Sequence, residues 1–271
     1  MKFTSFRWLA LLAAAPLLLL ARDAGLPPAA KMKPLGLIGG LSWYSTADYY
    51  RSINKAVNDA YGDNTNPPLI VYTLNQQRMH ELQTQNRWDD IATMLAEAAA
   101  RLHAAGAEGI LFCANTPHKV YAQVASRTSV PILHIADAAG AAIKAKGLHK
   151  VGLIGTLYTM EDSFFADRVK ARFGIECVVP DSPAVRRELH RIVHEELGLG
   201  IFKPESKKFI LAQLEALRQR GSEGVVLGCT EFPLIISQAD LAIPVFDTVQ
   251  LHSQMAVDFI LGRGEAIAPP K

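Results

Sequence analysis

Short apolar runs alternate along the chain with longer stretches in which apolar positions recur every three or four residues. The runs from Pro34 to Gly39, Leu69 to Leu74, Gly109 to Phe112 and Val130 to Ile135 each read as a buried strand. Between them, Tyr49, Ile53 and Val57 share one helical face behind a Ser45 or Thr46 cap. Ile91, Leu95, Ala98 and Leu102 share another within Trp88 to Ala105, which Gly106 ends. The alternation then repeats. Strands are predicted at Lys150 to Gly155, Ile175 to Val179, Gly224 to Leu227 and Ile243 to Asp247. Helices are predicted at Met160 to Phe173, Ala184 to Leu197, Glu205 to Arg220 and Thr248 to Leu261, with Asp137 capping one more that ends near Gly147. Asn75 to Glu81 follows a strand's carboxyl end and reads as a loop. Strands separated by helices predict parallel sheets.

The halves match in detail. Gly36-Leu-Ile-Gly39-Gly40-Leu41 is echoed by Gly152-Leu-Ile-Gly155-Thr156-Leu157, and the interval between them equals that between Cys113 and Cys229. The expected fold class is therefore α/β, with two similar Rossmann-like domains whose parallel sheets are related by a pseudo-twofold internal duplication. Residues 33–135, joined by the C-terminal helix 248–262, form the first domain and residues 136–247 the second. Ligands of open parallel sheets sit beyond the carboxyl ends of the strands, which places the active site in the cleft between the domains.

Composition narrows the class. With 49% apolar and 20% charged residues and a formal charge of +2, the chain suits a soluble α/β protein and offers no basic stripe for nucleic acid. Three cysteines make no disulfide framework, and Cys113 with His118 supplies only half of a metal site. Residues 1–31 stand apart. Lys2 and Arg7 precede an apolar run from Trp8 to Ala21, as in a secretory signal, although Arg22 and Asp23 follow without an A-x-A cleavage site. Export to the periplasm or medium is expected, the alternative being a cytoplasmic protein that starts at Met32. No membrane association is expected once that segment is removed.

Two sites carry the chemistry. Cys113-Ala-Asn115-Thr116-Pro117 and Gly228-Cys229-Thr230-Glu231 each follow a buried strand and open a helix, with Asn115, Thr116 and Thr230 as caps and Glu231 in a first turn. Unpaired helix amides are expected to draw the Cys113 thiol below its ordinary pKa. Two thiols facing one carbon suit removal of a proton from one face and delivery of another to the opposite face. Cys177, inside a strand and without a counterpart, reads as core. The Gly39-Gly40-Leu41-Ser42 loop reads as an anion-binding corner. On Ala184 to Leu197, Arg187 and its basic neighbours offer a solvated face or one carboxylate clamp.

At these residues the chain resembles the aspartate/glutamate racemase family, whose cofactor-independent members carry a C-x-N-T motif in one half and G-C-T-E in the other. Cys113-Ala-Asn115-Thr116 and Gly228-Cys229-Thr230-Glu231 match them, and Gly39-Gly40-Leu41-Ser42 resembles the family's opening loop. The likeness runs from about Lys33 to Gly262, and His118 after the first motif places it nearest the aspartate and broad-specificity branch. The resemblance implies Cys113 and Cys229 as the acid/base pair, with Ser42, Asn115, Thr116 and Thr230 around the substrate carboxylate. Arg187 falls near where some aspartate racemases place a basic residue for the side-chain carboxylate, and Arg78 near where they keep an arginine. An isomerase is thus expected, interconverting L and D amino acids without pyridoxal phosphate, metal or another cofactor. Its expected partners are a small amino-acid substrate and, as an open option, a second copy of the chain. Hydantoin racemases and single-cysteine decarboxylases of the superfamily are alternatives, as is a two-lobed solute-binding protein.

Overall fold

Residues 28–263 are described in the computed structural model; residues 1–27 of the leader-like segment lie outside them. Two four-stranded sheets, parallel throughout, organise the chain. In the first, β1 (Leu35–Gly39), β2 (Leu69–Thr73), β3 (Gly109–Phe112) and β4 (Ile132–Leu133) lie in the order β2-β1-β3-β4. In the second, β5 (Lys150–Gly155), β6 (Glu176–Val178), β7 (Gly224–Gly228) and β8 (Val245–Asp247) lie in the equivalent order β6-β5-β7-β8. The duplication extends to backbone pairing, since Ile110 N–H donates to the Pro131 carbonyl at 2.8 Å and Val225 N–H to that of Pro244 at 2.9 Å.

Helices α1 (Trp43–Tyr61), α2 (Gln76–Thr84), α3 (Trp88–Ala104), α4 (Tyr121–Ala125) and α5 (Ile135–Ala145) punctuate the first half. Then come α6 (Leu157–Glu161), α7 (Phe164–Phe173), α8 (Pro183–Glu195), α9 (Pro204–Gln219) and α10 (Thr248–Ile260). The stripe predicted on α3 is core: Ile91, Leu95 and Leu102 are buried against Ile38, Ile110 and Phe112. Each such side chain contributes roughly 1.5–3 kcal/mol. Although last in sequence, α10 packs its Val257 and Ile260 with Tyr49, Ile53 and Leu37 of the first half. Helix α5 turns the other way, burying Ile135, Ala139 and Ile143 against Val151, Leu153 and Val226.

Three local expectations change. Residues 76–84 are helical, because the Asn75 side chain caps Arg78 N–H and Met79 and Leu82 find a buried face. The helix predicted from Met160 to Phe173 is two helices, broken at Ser163, whose φ of 51° is left-handed. Asp137 is not a cap. His134 caps α5 by accepting from Ala136 N–H, while buried Asp137 grips Arg168 through two 2.7 Å hydrogen bonds and Arg172 at 3.2 Å, tying α5 to α7.

Candidate active site

Each cysteine sits where its strand runs out. Cys113 N–H still bonds the Ile38 carbonyl at 3.0 Å, continuing the β1–β3 ladder, and Cys229 follows Gly228 at the end of β7. The backbone then turns into short 3₁₀ helices, Thr116–Val120 and Phe232–Leu234. Ala114 to Pro117 and Gly228 to Glu231 line opposite sides of a cleft of about 480 Å³, together with Ser42, Thr156 and parts of α2 and α8. The opening loop needs its glycine: Gly40 has a φ of 71°, and a Cβ there would fall 2.0 Å from the Leu74 carbonyl oxygen. Ser42, not Ser45 or Thr46, caps α1. Ser45 instead donates to the Cys113 carbonyl at 2.7 Å, fixing the first cysteine's backbone.

The two thiols differ. Cys229 is 6% exposed and lines the cleft, whereas Cys113 is 0% exposed and lies behind the wall that Ala114 to Pro117 form. Cys113 is not drawn down as its place before a helix predicts, and Cys229 is raised as well. Burial pushes Cys113 up from its ordinary value. Burial also raises Cys229, and the Glu231 carboxylate adds to that; the Thr230 and Glu231 amides pull the other way and lose. Cys229 S–H donates to Glu231 Oε2 at 2.9 Å, and Thr230 O–H donates to the same oxygen at 2.8 Å. Cys229 thus stands against a fixed proton acceptor.

The hydroxyls and amide form a cross-lobe network. Thr248 O–H donates to the Leu227 carbonyl at 2.8 Å, so its oxygen must accept from Asn115, whose Nδ2 lies 3.0 Å away. That fixes the amide's orientation and leaves Asn115 Oδ1 buried with no protein partner. Across the cleft, Thr116 and Thr156 hydroxyls meet at 3.2 Å, joining the opening loop of the second half to the first motif. Ser42, Asn115, Thr116 and Thr230 all line the cleft.

Other candidates lie elsewhere. Arg187 is exposed and does not line the cleft. It sits two turns from His194 on α8, roughly 10 Å at 1.5 Å per residue. Arg78 is exposed and pairs with Glu81, and Asn75 is occupied as a cap. Both ring nitrogens of His118 are engaged, with the Asn115 carbonyl at 3.1 Å and Ile135 N–H at 3.3 Å, so it offers no lone pair to a metal. Cys177 packs in the second core beside Val151, with its thiol pushed up to about 12 by burial.

The sequence model of the Asp/Glu/hydantoin racemase family matches residues 38–256. The chain belongs to this family. It is similar to the crystal structure of a candidate Asp/Glu racemase from Yersinia pestis, with 41% identity and a TM-score of 0.80 over 85% of this chain and 100% of that one. An aspartate racemase homologue from Pyrococcus horikoshii OT3 shares 37% identity at a TM-score of 0.74, covering 84% and 99% of the two chains. A glutamate racemase from Deinococcus radiodurans is 28% identical over 148 residues, 54% of this chain and 50% of that protein. The chain thus spans about half the length of the curated relatives it matches.

The family motifs do not announce the cleft's remaining wall. His80, Gln76, Gln77 and Gln83 come from α2, and Val193 and His194 from α8. Residues 75–81 read as loop, and His194 sat among charged neighbours on a face that looked solvated. Thr248 carried a signal, since it opens α10 directly after a strand, but its partner is far away in sequence.

Proposed function

We propose that the protein is an amino-acid racemase that exchanges the α-proton between Cys113 and Cys229. The observation that supports this reading is the equivalent placement of two cysteines at the carboxyl ends of β3 and β7, with Cys229 lining the cleft and Cys113 next to the Ala114 to Pro117 wall that faces it. In one direction, Glu231 accepts the Cys229 proton, and the thiolate removes the α-proton from the face it meets. Cys113 then delivers its own proton to the opposite face; in the other direction the two cysteines exchange roles. The partnerless Asn115 Oδ1 suits the substrate's ammonium group, while the Thr116 hydroxyl and the Ser42 corner suit its carboxylate; the Thr230 hydroxyl is committed to Glu231. Reaction through Cys113 requires the Ala114 to Pro117 wall to shift, since the sulfur lies behind it.

That asymmetry favours a second reading, in which Cys229 with Glu231 works alone, as in single-cysteine relatives. Two measurements separate them. Under the two-base reading, turnover of one enantiomer in D2O puts deuterium into the product while the remaining substrate keeps its hydrogen, and Cys113→Ala and Cys229→Ala each abolish racemisation. Full activity in Cys113→Ala, with loss only in Cys229→Ala, would install the one-thiol reading instead.

A further inference from the structure

The cleft holds polar groups of an uneven kind. Among the described residues lining it there is no lysine or arginine, and Glu231 supplies the one side chain that is ordinarily ionised at neutral pH. The polar wall that α2 and α8 contribute is neutral: Gln76, Gln77, Gln83, His80 and His194. A substrate bearing a second carboxylate would enter beside Glu231 with no cation to meet it, and like charges in a partly desolvated site repel. An uncharged side chain meets no such opposition.

Within that part of the wall, His194 has an unsatisfied ring nitrogen. Its Nε2 is buried with no protein partner, which costs free energy until a ligand supplies one. The ring stands between two other imidazoles, with centroids 4.3 Å from His190 and 4.9 Å from His80. His190 is committed, its Nδ1 accepting from Leu157 N–H at 3.3 Å. Burial first, and then the neighbouring imidazoles, push His194 down to about 4, so it stays neutral at physiological pH. A neutral imidazole offers one N–H and one lone pair. That set matches a hydroxyl or carboxamide and gives a carboxylate only one donor.

Resting on the racemase reading, we propose that the cleft selects amino acids with an uncharged, hydrogen-bonding side chain, a carboxamide or hydroxyl, and that His194 is the residue that reads it. Sites built to hydrogen-bond a neutral group discriminate strongly against partners that cannot complete the set. The near-isosteric pairs glutamine/glutamate and asparagine/aspartate isolate charge from size.

The test is calorimetric titration of the full chain at pH 7.5 with each member of both pairs, and with alanine as a side chain that lacks polar atoms. Each amide is expected to bind about thirtyfold or more tightly than its acid. His194→Ala is expected to cut glutamine affinity relative to alanine by about tenfold, and His194→Gln, which keeps a neutral donor and acceptor, to restore most of it. His194→Lys adds the missing cation and is expected to turn preference toward glutamate by about tenfold or more. Equal or tighter binding of the acids by the parent protein overturns the proposal, as does an amide-to-acid ratio that His194→Lys leaves unchanged. Exchange of the α-hydrogen in D2O is scored on the same samples. Amide-selective binding without exchange supports the selectivity and overturns the racemase reading, so the two fail separately.

Discussion

Glu231 acts on Cys229 in two opposed ways. As a negative charge beside a buried thiol it raises the cost of forming thiolate, and as the acceptor of the S–H hydrogen bond it is the group that takes that proton in the proposed mechanism. Replacing it separates the effects. Glu231→Gln removes the charge, so the pH at which Cys229 becomes half-alkylated by iodoacetamide in a fixed time is expected to fall. The same change removes the proton acceptor, and racemisation is expected to drop by about 10²-fold or more. Mass spectrometry of the alkylated chain gives the first quantity and chiral chromatography the second. If the half-alkylation pH falls while racemisation is unchanged or rises, Glu231 does not act as the proton acceptor. Alkylation also reads the burial difference: Cys229, which opens into the cleft, is expected to label well before Cys113, which is sealed behind Ala114 to Pro117.

At the level of elements, α5 shows why a residue's type can be legible while its use is not. Asp137 near a helix start suggests a cap, yet His134 takes that role, and Asp137 serves a contact that only the packing of α7 creates. Its carboxylate is 3% exposed, whereas Arg168 and Arg172 remain 14% and 23% exposed. The pair therefore lies between the surface and fully buried limits. Asp137→Asn is expected to cost about 2–4 kcal/mol by urea denaturation, since it strands two arginines against a buried amide. A cost under about 0.5 kcal/mol would mean that water screens the cluster as it does a surface pair. Other elements were readable for equally physical reasons. The β3 and β7 runs, bounded by Gly109 and Gly224, could be nothing but short buried strands, and the α3 stripe repeats at helical spacing. The α2 helix was missed because seven of its nine residues are polar or charged and its apolar anchors, Met79 and Leu82, are too few to set a period. The break at Ser163 was missed because Ser163 takes a left-handed backbone conformation that its residue type does not advertise. At the site, the motif residues were legible because the duplication placed them, whereas His80 and His194 reach the cleft only through the tertiary placement of α2 and α8.

The molecule as a whole is joined through α10, whose Thr248 bonds Asn115 of one half and the Leu227 carbonyl of the other. Around this joint three imidazoles are buried in uncharged form. His252 accepts from Tyr49 O–H at 2.9 Å and donates to the Leu133 carbonyl at 3.0 Å. His118 lies 4.5 Å from His134 and 5.6 Å from His252, ring centre to ring centre. Burial, the largest cause in each case, pushes His118 down to about 4 and both His134 and His252 well below their ordinary value. In the unfolded chain each returns to about 6.5. Below that pH the unfolded state binds protons that the native state refuses, so stability is fully present above 6.5 and is lost as pH falls toward 4. The slope is about 1.4 kcal/mol per pH unit for each imidazole, or about 2 kcal/mol each by pH 5. Asp247, whose carboxyl is raised by burial, opposes the trend, but it is one group against these three, and His194, pushed down to about 4 by burial, adds to them. Three imidazoles together approach the whole stability of an ordinary domain, so unfolding is expected to begin near pH 5, above the range in which most carboxylates titrate. Urea midpoints measured from pH 7.5 to 5 should fall steadily, and His252→Gln, which keeps an acceptor for Tyr49 and a donor for Leu133, should lower the slope by about one proton. A stability that stays flat across that interval would mean that the three rings reach water, or one another's protons, more readily than their burial allows.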